Sequence, residues 1–164
     1  MKEILLESWD RNVKIMGNLA SRITEENRHA KPSPDGWALD HQLAHMHSTR
    51  QWFLAQFAAE QEARTTNVMV EKDGDWVPID DLEEIKRQCE LSGVVIRDTL
   101  RELFESGAER IPPYDHPVYF LQHMIWHEGW HAGLIMLALR LNGEEPTEEW
   151  EDRNLWGIWR DPEC

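Results

Sequence analysis

The sequence predicts an all-α four-helix bundle, and three observations carry that prediction. Apolar residues recur at three- and four-residue spacing through four long segments. Each segment has one apolar stripe to bury, and breaker-rich stretches separate them. Such stripes are satisfied together by an antiparallel or mixed bundle, with up-down-down-up among the arrangements open to it.

The first helix is expected over roughly residues 2 to 29, where Leu5, Trp9, Val13, Met16, Leu19 and Ile23 keep the spacing until Lys31-Pro32-Ser33-Pro34-Asp35-Gly36 stops it. The second runs from about Asp40 to Ala63 on the stripe Leu43, Met46, Phe53 and Phe57. An insert over residues 64–80 follows, and its Lys72-Asp73-Gly74-Asp75 turn signal between two short apolar pieces suits a loop or a small hairpin. The third helix, about Asp80 to Ser106, repeats Leu82, Ile85, Cys89, Ser92, Ile96 and Leu103, with acidic residues in the first turn where the helix dipole favours them. Ile111-Pro112-Pro113 ends that region. The fourth helix spans about His116 to Leu141 and stops at Asn142-Gly143. The remaining tail, residues 144–164, holds Trp150, Trp156 and Trp159 and is expected to pack on the bundle or on a second subunit.

At 164 residues the chain has the usual size of one domain, so residues 1–164 are expected to form a single domain. With 17 Lys and Arg against 31 Asp and Glu, the formal charge of −14 would repel a phosphate backbone, which argues against nucleic acid as a partner. Cys89 and Cys164 form neither a CxxC pair nor a disulfide framework, as in a reducing cytoplasm. No signal-peptide pattern and no run of about 18 uncharged apolar residues is present, so no membrane span is expected. The predicted location is cytoplasmic and the predicted partner a small-molecule substrate.

Chemistry concentrates in residues 123–133, His-Met-Ile-Trp-His-Glu-Gly-Trp-His-Ala-Gly. Each four-residue step on an α-helix turns the side chain by about 40°, so His123, His127 and His131 share a face with Phe120, Leu134, Ala138 and Leu141, and all three are expected to point inward. A buried imidazole needs a hydrogen-bond partner or a metal, because an unpaired buried polar group costs about 1–3 kcal/mol. One ion does not reach all three: His123 and His131 lie two turns apart, about 12 Å of rise, whereas zinc holds its nitrogens at about 2.1 Å. The pair is therefore His123 with His127 or His127 with His131. A further ligand must come from a facing helix, where His41, His45 and His47 stand. Periodicity does not choose among them.

Trp37-Ala38-Leu39-Asp40-His41-Gln42-Leu43-Ala44-His45 resembles the start of the second helix in the DinB and YfiT-like superfamily of metalloenzymes. His127-Glu128-Gly129-Trp130-His131-Ala132-Gly133 is similar to the His-x-x-x-His-x-Gly signature of that family, followed by an apolar run and Gly143. The resemblance spans most of the chain. It implies a four-helix bundle with a divalent ion, commonly zinc or nickel, held by His45, His127 and His131 with water in an open position, and often a homodimer. His123, Trp130 and His41 then become pocket residues or neighbours of the ligands. Ala132 and Leu134 stand where many similar chains carry Arg and Gln.

A three-histidine ion with an open position lowers the pKa of bound water toward about 7, or binds a thiolate. The resemblance accordingly implies a metal-dependent transferase using a low-molecular-weight thiol cosubstrate, or a hydrolase. Glu128, beside a ligand, is the general-base candidate, set against a solvent-facing glutamate. Three other readings compete. His127-Glu128-Gly129-Trp130-His131 matches the HExxH pattern of zinc proteases, but Leu134 occupies the glycine position of the metzincin extension. Glu26-Asn27-Arg28-His29 and Glu128-Gly129-Trp130-His131 both fit Glu-x-x-His, as in carboxylate-bridged di-iron bundles. Lastly, the ion of a non-enzymatic, stress-associated metal-binding or interaction protein would serve only to stabilise the bundle.

Overall fold

Each apolar stripe winds into a helix in the computed structural model, which describes residues 1–160. Asp161 to Cys164, the end of the expected tail, lie outside the described residues. The elements are α1 (Lys2–Ala20), α2 (Leu39–Phe57), the single turn α3 (Ala59–Glu62), β1 (Met69–Lys72), β2 (Asp75–Pro78), α4 (Leu82–Ser106), α5 (Pro117–Leu141), the turn α6 (Glu148–Glu151) and a π-helical turn, Asp152–Trp156. Among the described residues no helix is long and apolar enough to cross a membrane.

Long-range contacts fix the topology. Lys2 Nζ donates to the Phe104 carbonyl and, further along α1, Trp9 donates from Nε1 to the Gly93 carbonyl at 2.8 Å, so α1 runs antiparallel to α4. On the other side of α4, the Cys89 thiol donates to the Leu43 carbonyl and Arg50 reaches Ser92, which makes α2 parallel to it. Phe53 against Phe120 and His45 against His127 set α5 antiparallel to α2. The order is up-down-down-up, with α1 and α4 packed side by side and α2 lying between α4 and α5. Gly93 permits the α1–α4 approach: a Cβ there would sit 2.9 Å from a Val13 methyl.

The ends of α4 and α5 follow from local chemistry. The Asp81 carboxylate accepts from the Glu84 N–H at 2.9 Å to start α4, and Gly107 ends it in the left-handed region at φ 71°. His116 caps Val118 ahead of Pro117 at the start of α5.

Two boundaries depart from the spacing. Helix α1 stops at Ala20 rather than near residue 29, because Asn27 closes a turn instead: its Oδ1 accepts from the Thr24 N–H and its Nδ2 donates to the Arg22 carbonyl and to Glu144. Ile23 is buried from that turn and not from a helix. Helix α2 ends at Phe57, where Ala58 leaves helical geometry at φ −148° and ψ 53°. The 64–80 insert contains a hairpin, Met69 opposite Pro78 and Lys72 opposite Asp75. The described part of the tail folds back on α1: Leu155 is buried, Asn18 donates to the Asn154 carbonyl and Arg11 to that of Ile158.

The core has two apolar halves. One gathers Leu19, Leu39, Leu43, Ile85 and Ile135, the other Trp9, Leu54, Ile96, Leu100 and Phe120. Between them, at one height in the bundle, lies a polar layer. Arg50 Nε and Nη2 donate to Glu128 at 2.6 and 2.8 Å, Asn12 Nδ2 donates to the same carboxylate at 2.6 Å, and Arg50 Nη1 donates to the Cys89 carbonyl and Ser92 Oγ. All four long helices contribute, and Glu128 is 0% exposed. Burial opposes the Arg50 charge, but the adjoining Glu128 carboxylate outweighs it and raises the guanidinium pKa.

Candidate metal centre

The segment before α2 is tied down by its backbone, Leu39 donating to the Ala30 carbonyl and Asp40 to that of Arg28. The buried Arg28–Asp40 pair, 3.0 Å apart, locks the same corner. One turn into α2, Gln42 is 1% exposed and spends both ends of its amide: Nε2 donates to the Trp37 carbonyl at 3.2 Å and Oε1 accepts from His131 Nδ1. With its N–H on a carbonyl, the amide must present oxygen to the imidazole. The His131 proton therefore sits on Nδ1 and its Nε2 carries a lone pair.

That lone pair meets two others. His131 Nε2 lies 3.2 Å from His127 Nε2, which lies 3.3 Å from His45 Nε2, and ligand atoms of all three fall within 4.8 Å of one another. Two nitrogens bound at about 2.1 Å to one tetrahedral ion sit about 3.4 Å apart, so these spacings suit a shared cation. Without a cation the cluster is short of protons to share, since His131 Nε2 has none. Burial, reinforced by the neighbouring imidazoles, pushes His45 down to about 4 and His131 to about 3, and burial lowers His127 as well. The neutral, metal-competent form is favoured at every site.

The other predicted residues are distributed around this cluster. His41 lies outside it and stacks on Trp37 at 4.6 Å, while Trp37 also packs at 4.8 Å on His45. His47 points elsewhere: it is fully buried and donates to the Thr66 carbonyl at 2.8 Å. The expectation that His123 points inward is corrected. It is exposed, as is Leu141, because the buried stripe of α5 runs through Phe120, Met124, Glu128, His131, Ile135 and Ala138, rotated away from His123. Tyr114 Oη and His123 Nδ1 share a hydrogen bond at 2.5 Å, and the His123 ring lies 6.5 Å from that of His127. Trp130 is 62% exposed at the rim.

Glu128 is neither solvent-facing nor among the groups that converge with the histidine nitrogens, since Arg50 and Asn12 engage both of its oxygens. The protease and di-iron readings both required a freely acting Glu128. The second also required Glu26 and His29, yet both are exposed and His29 approaches Asp40 instead. The sequence did not signal Asn12 and Arg50 as the partners of Glu128. Gln42 stood in the Trp37–His45 segment without a role.

Two cavities open beside the cluster. One, of about 540 Å3, lies between α2 and the hairpin and is lined by Trp37, His41, His45, Met69, Asp75, Trp76 and Val77. The other, of about 390 Å3, lies between the segment before α2 and α5, against Pro32, Ser33, Asp35, Gly36, Trp37, Gln42, Trp130, His131, Leu134 and Leu137.

Compared with known proteins, residues 1–160 match the family model described as the DinB family. No curated protein and no solved structure matches the chain.

Proposed function

This chain belongs to the DinB family, and we propose that it is a metal-dependent enzyme that holds a divalent ion, zinc or nickel, on His45, His127 and His131. The observation that carries the reading is the convergence of three neutral imidazole nitrogens from α2 and α5, with no fourth His, Cys, Asp or Glu joining them among the described residues. Three protein ligands and a remaining open position are the pattern of a catalytic rather than a structural site. A bound divalent ion would lower the pKa of a water toward about 7, or stabilise the thiolate of a low-molecular-weight thiol, for hydrolysis or S-transfer.

The chain's own residues prepare that chemistry. Gln42 fixes the tautomer and ring plane of His131, and outer partners of this kind tune ligand basicity and affinity. Trp37 covers His41 and His45, excluding water from one side of the cluster. His123, held by Tyr114, stands beside His127 at the edge of the site. The ion-pair layer behind His127 holds α5 in the rotation that aims His127 and His131 at His45. The setting is a reducing cytoplasm, in keeping with the free Cys89 thiol.

The partner that suits the outer face of α5 is a second copy. Tyr119, Trp126 and Leu141 are exposed there, and no charged residue lies between Pro117 and Leu139 except the buried Glu128. Elsewhere the surface of two chains of net charge −14 repels itself, which leaves this face for association.

Elemental mass spectrometry on untagged protein, beside His45→Ala and His127→Ala, tests the metal. About one zinc or nickel per chain, lost in both variants, is the expected result. Metal absent from the wild type, or kept without His45, refutes the site; a loaded site then justifies assays of thiol transfer and hydrolysis.

A further inference from the structure

The walls of the two cavities beside the histidine cluster lack one kind of group and are rich in another. No lysine or arginine lines either of them, and the carboxylates of Asp75 and Asp35 are the acidic groups present, one in each. Large apolar side chains are instead left open to solvent along the same walls: Trp37 at 45% exposure, Trp76 at 59%, Trp130 at 62% and Leu137 at 40%. Scattered exposed apolar residues are ordinary, but a set gathered on cavities that share ligand residues with a metal-type cluster marks a binding surface. Leu134 and Leu137 offer the α5-side cavity no hydrogen-bonding group.

Charge narrows the ligand further. On the walls of these two cavities positive charge enters only through the ion assigned to His45, His127 and His131, Arg28 and Lys31 lining instead the adjoining pocket beside His29 and Asp80, so a single metal-directed donor of a substrate is satisfied there. A second anionic group lying along the walls would meet Asp35 or Asp75 in a chain of net charge −14, with no lysine or arginine on those walls to pair it. An aromatic or branched apolar group meets Trp faces and leucine methyls, and a cationic one meets the same faces with a carboxylate nearby. We propose that the site takes a small molecule whose metal-directed end is joined to an aromatic or branched apolar group, neutral or cationic, without a further anionic group, and that Trp130 and Leu134 set this preference. The inference rests on the metal reading above.

Hydroxamic acids provide probes whose metal-directed end is constant. Zinc content is measured first, and zinc absent from the wild type refutes the metal reading rather than this one. On zinc-loaded protein, isothermal titration calorimetry compares acetohydroxamate, benzohydroxamate and the monohydroxamate of succinate, which adds a carboxylate. Benzohydroxamate is expected to bind at least tenfold more tightly than acetohydroxamate, and the succinate probe more weakly than either. Trp130→Ala and Leu134→Gln, each checked for zinc content and far-UV circular dichroism, are expected to narrow the ratio between the first two probes at least threefold. Equal affinities for them, tightest binding of the succinate probe, an unchanged ratio in both variants, or no binding to a zinc-loaded protein would each overturn the proposal.

Discussion

Replacing Glu128 by glutamine removes one charge from the middle of the bundle and almost nothing else from its shape. The carboxylate accepts three N–H bonds, two from Arg50 and one from Asn12, at 2.6 to 2.8 Å. Glutamine offers one accepting oxygen, and its amide nitrogen would face donors where the second oxygen stood. Arg50, 2% exposed, would keep its charge without a counter-charge. Removing one partner of a buried pair in this way costs about 3–5 kcal/mol, a large share of the roughly 5–15 kcal/mol that holds a domain folded. With a urea slope of about 2 kcal/mol per molar, the midpoint of the metal-free protein should fall by about 2 M at unchanged slope. The assay is urea unfolding followed by far-UV circular dichroism in the presence of chelator. Removing both charges, Arg50→Met with Glu128→Leu, should recover part of the loss, because apolar replacement of a whole buried pair is often close to neutral. A Glu128→Gln midpoint within about 0.5 M of wild type, or a double variant weaker than the single one, would refute the reasoning. Loss of activity in a Glu128→Gln protein that unfolds like wild type would return Glu128 to its general-base role.

Gln42→Leu frees the His131 ring and its tautomer, so metal affinity should drop about 10- to 100-fold while the helical signal persists; competition against a zinc chelator measures it, and unchanged affinity would dismiss the orienting role. Stability of the metal-free protein should fall in acid. Burial holds the His47 pKa near 4, against 6.5 for the free side chain. Between those values the unfolded chain binds more protons, and His47 alone removes up to about 3 kcal/mol as the pH drops from 6.5 to 4. Urea midpoints at pH 7.5 and pH 5 decide this, and an equal or higher midpoint at pH 5 would contradict it. Light scattering after gel filtration should give the mass of two chains for wild type and of one for Trp126→Glu, whereas a wild-type monomer would remove the proposed α5 interface.

Much of the architecture was legible because amphipathic spacing is a local property. Leu43, Met46 and Phe53 are buried as their stripe required, and so are Leu82, Ile85 and Ile96. What escaped was set by distant partners. Helix α1 ends early because Asn27 binds Glu144, 117 residues later in the chain, and no window of sequence contains both. The rotation of α5 was misjudged by centring its stripe on histidines and on Leu141; the structure places a carboxylate at its core, satisfied by Asn12 and Arg50 from other helices. Among His41, His45 and His47, spacing gave no choice, since each had a partner that only the fold reveals: the Trp37 ring, the cluster and the Thr66 carbonyl respectively. The His45, His127 and His131 set came from the resemblance, and the structure brings those three nitrogens together.

The seam between α2 and α5 joins residues 82 positions apart, and in the up-down-down-up order it forms only when the last long helix docks. Contacts that distant bear a loop-closure cost before anything rewards them, and they form slowly. A chain that has made α1, α2 and α4 presents one imidazole of the three, while α5 brings the other two together with the carboxylate that Arg50 awaits. The three-nitrogen cluster and the buried charge balance are therefore completed by the same docking step.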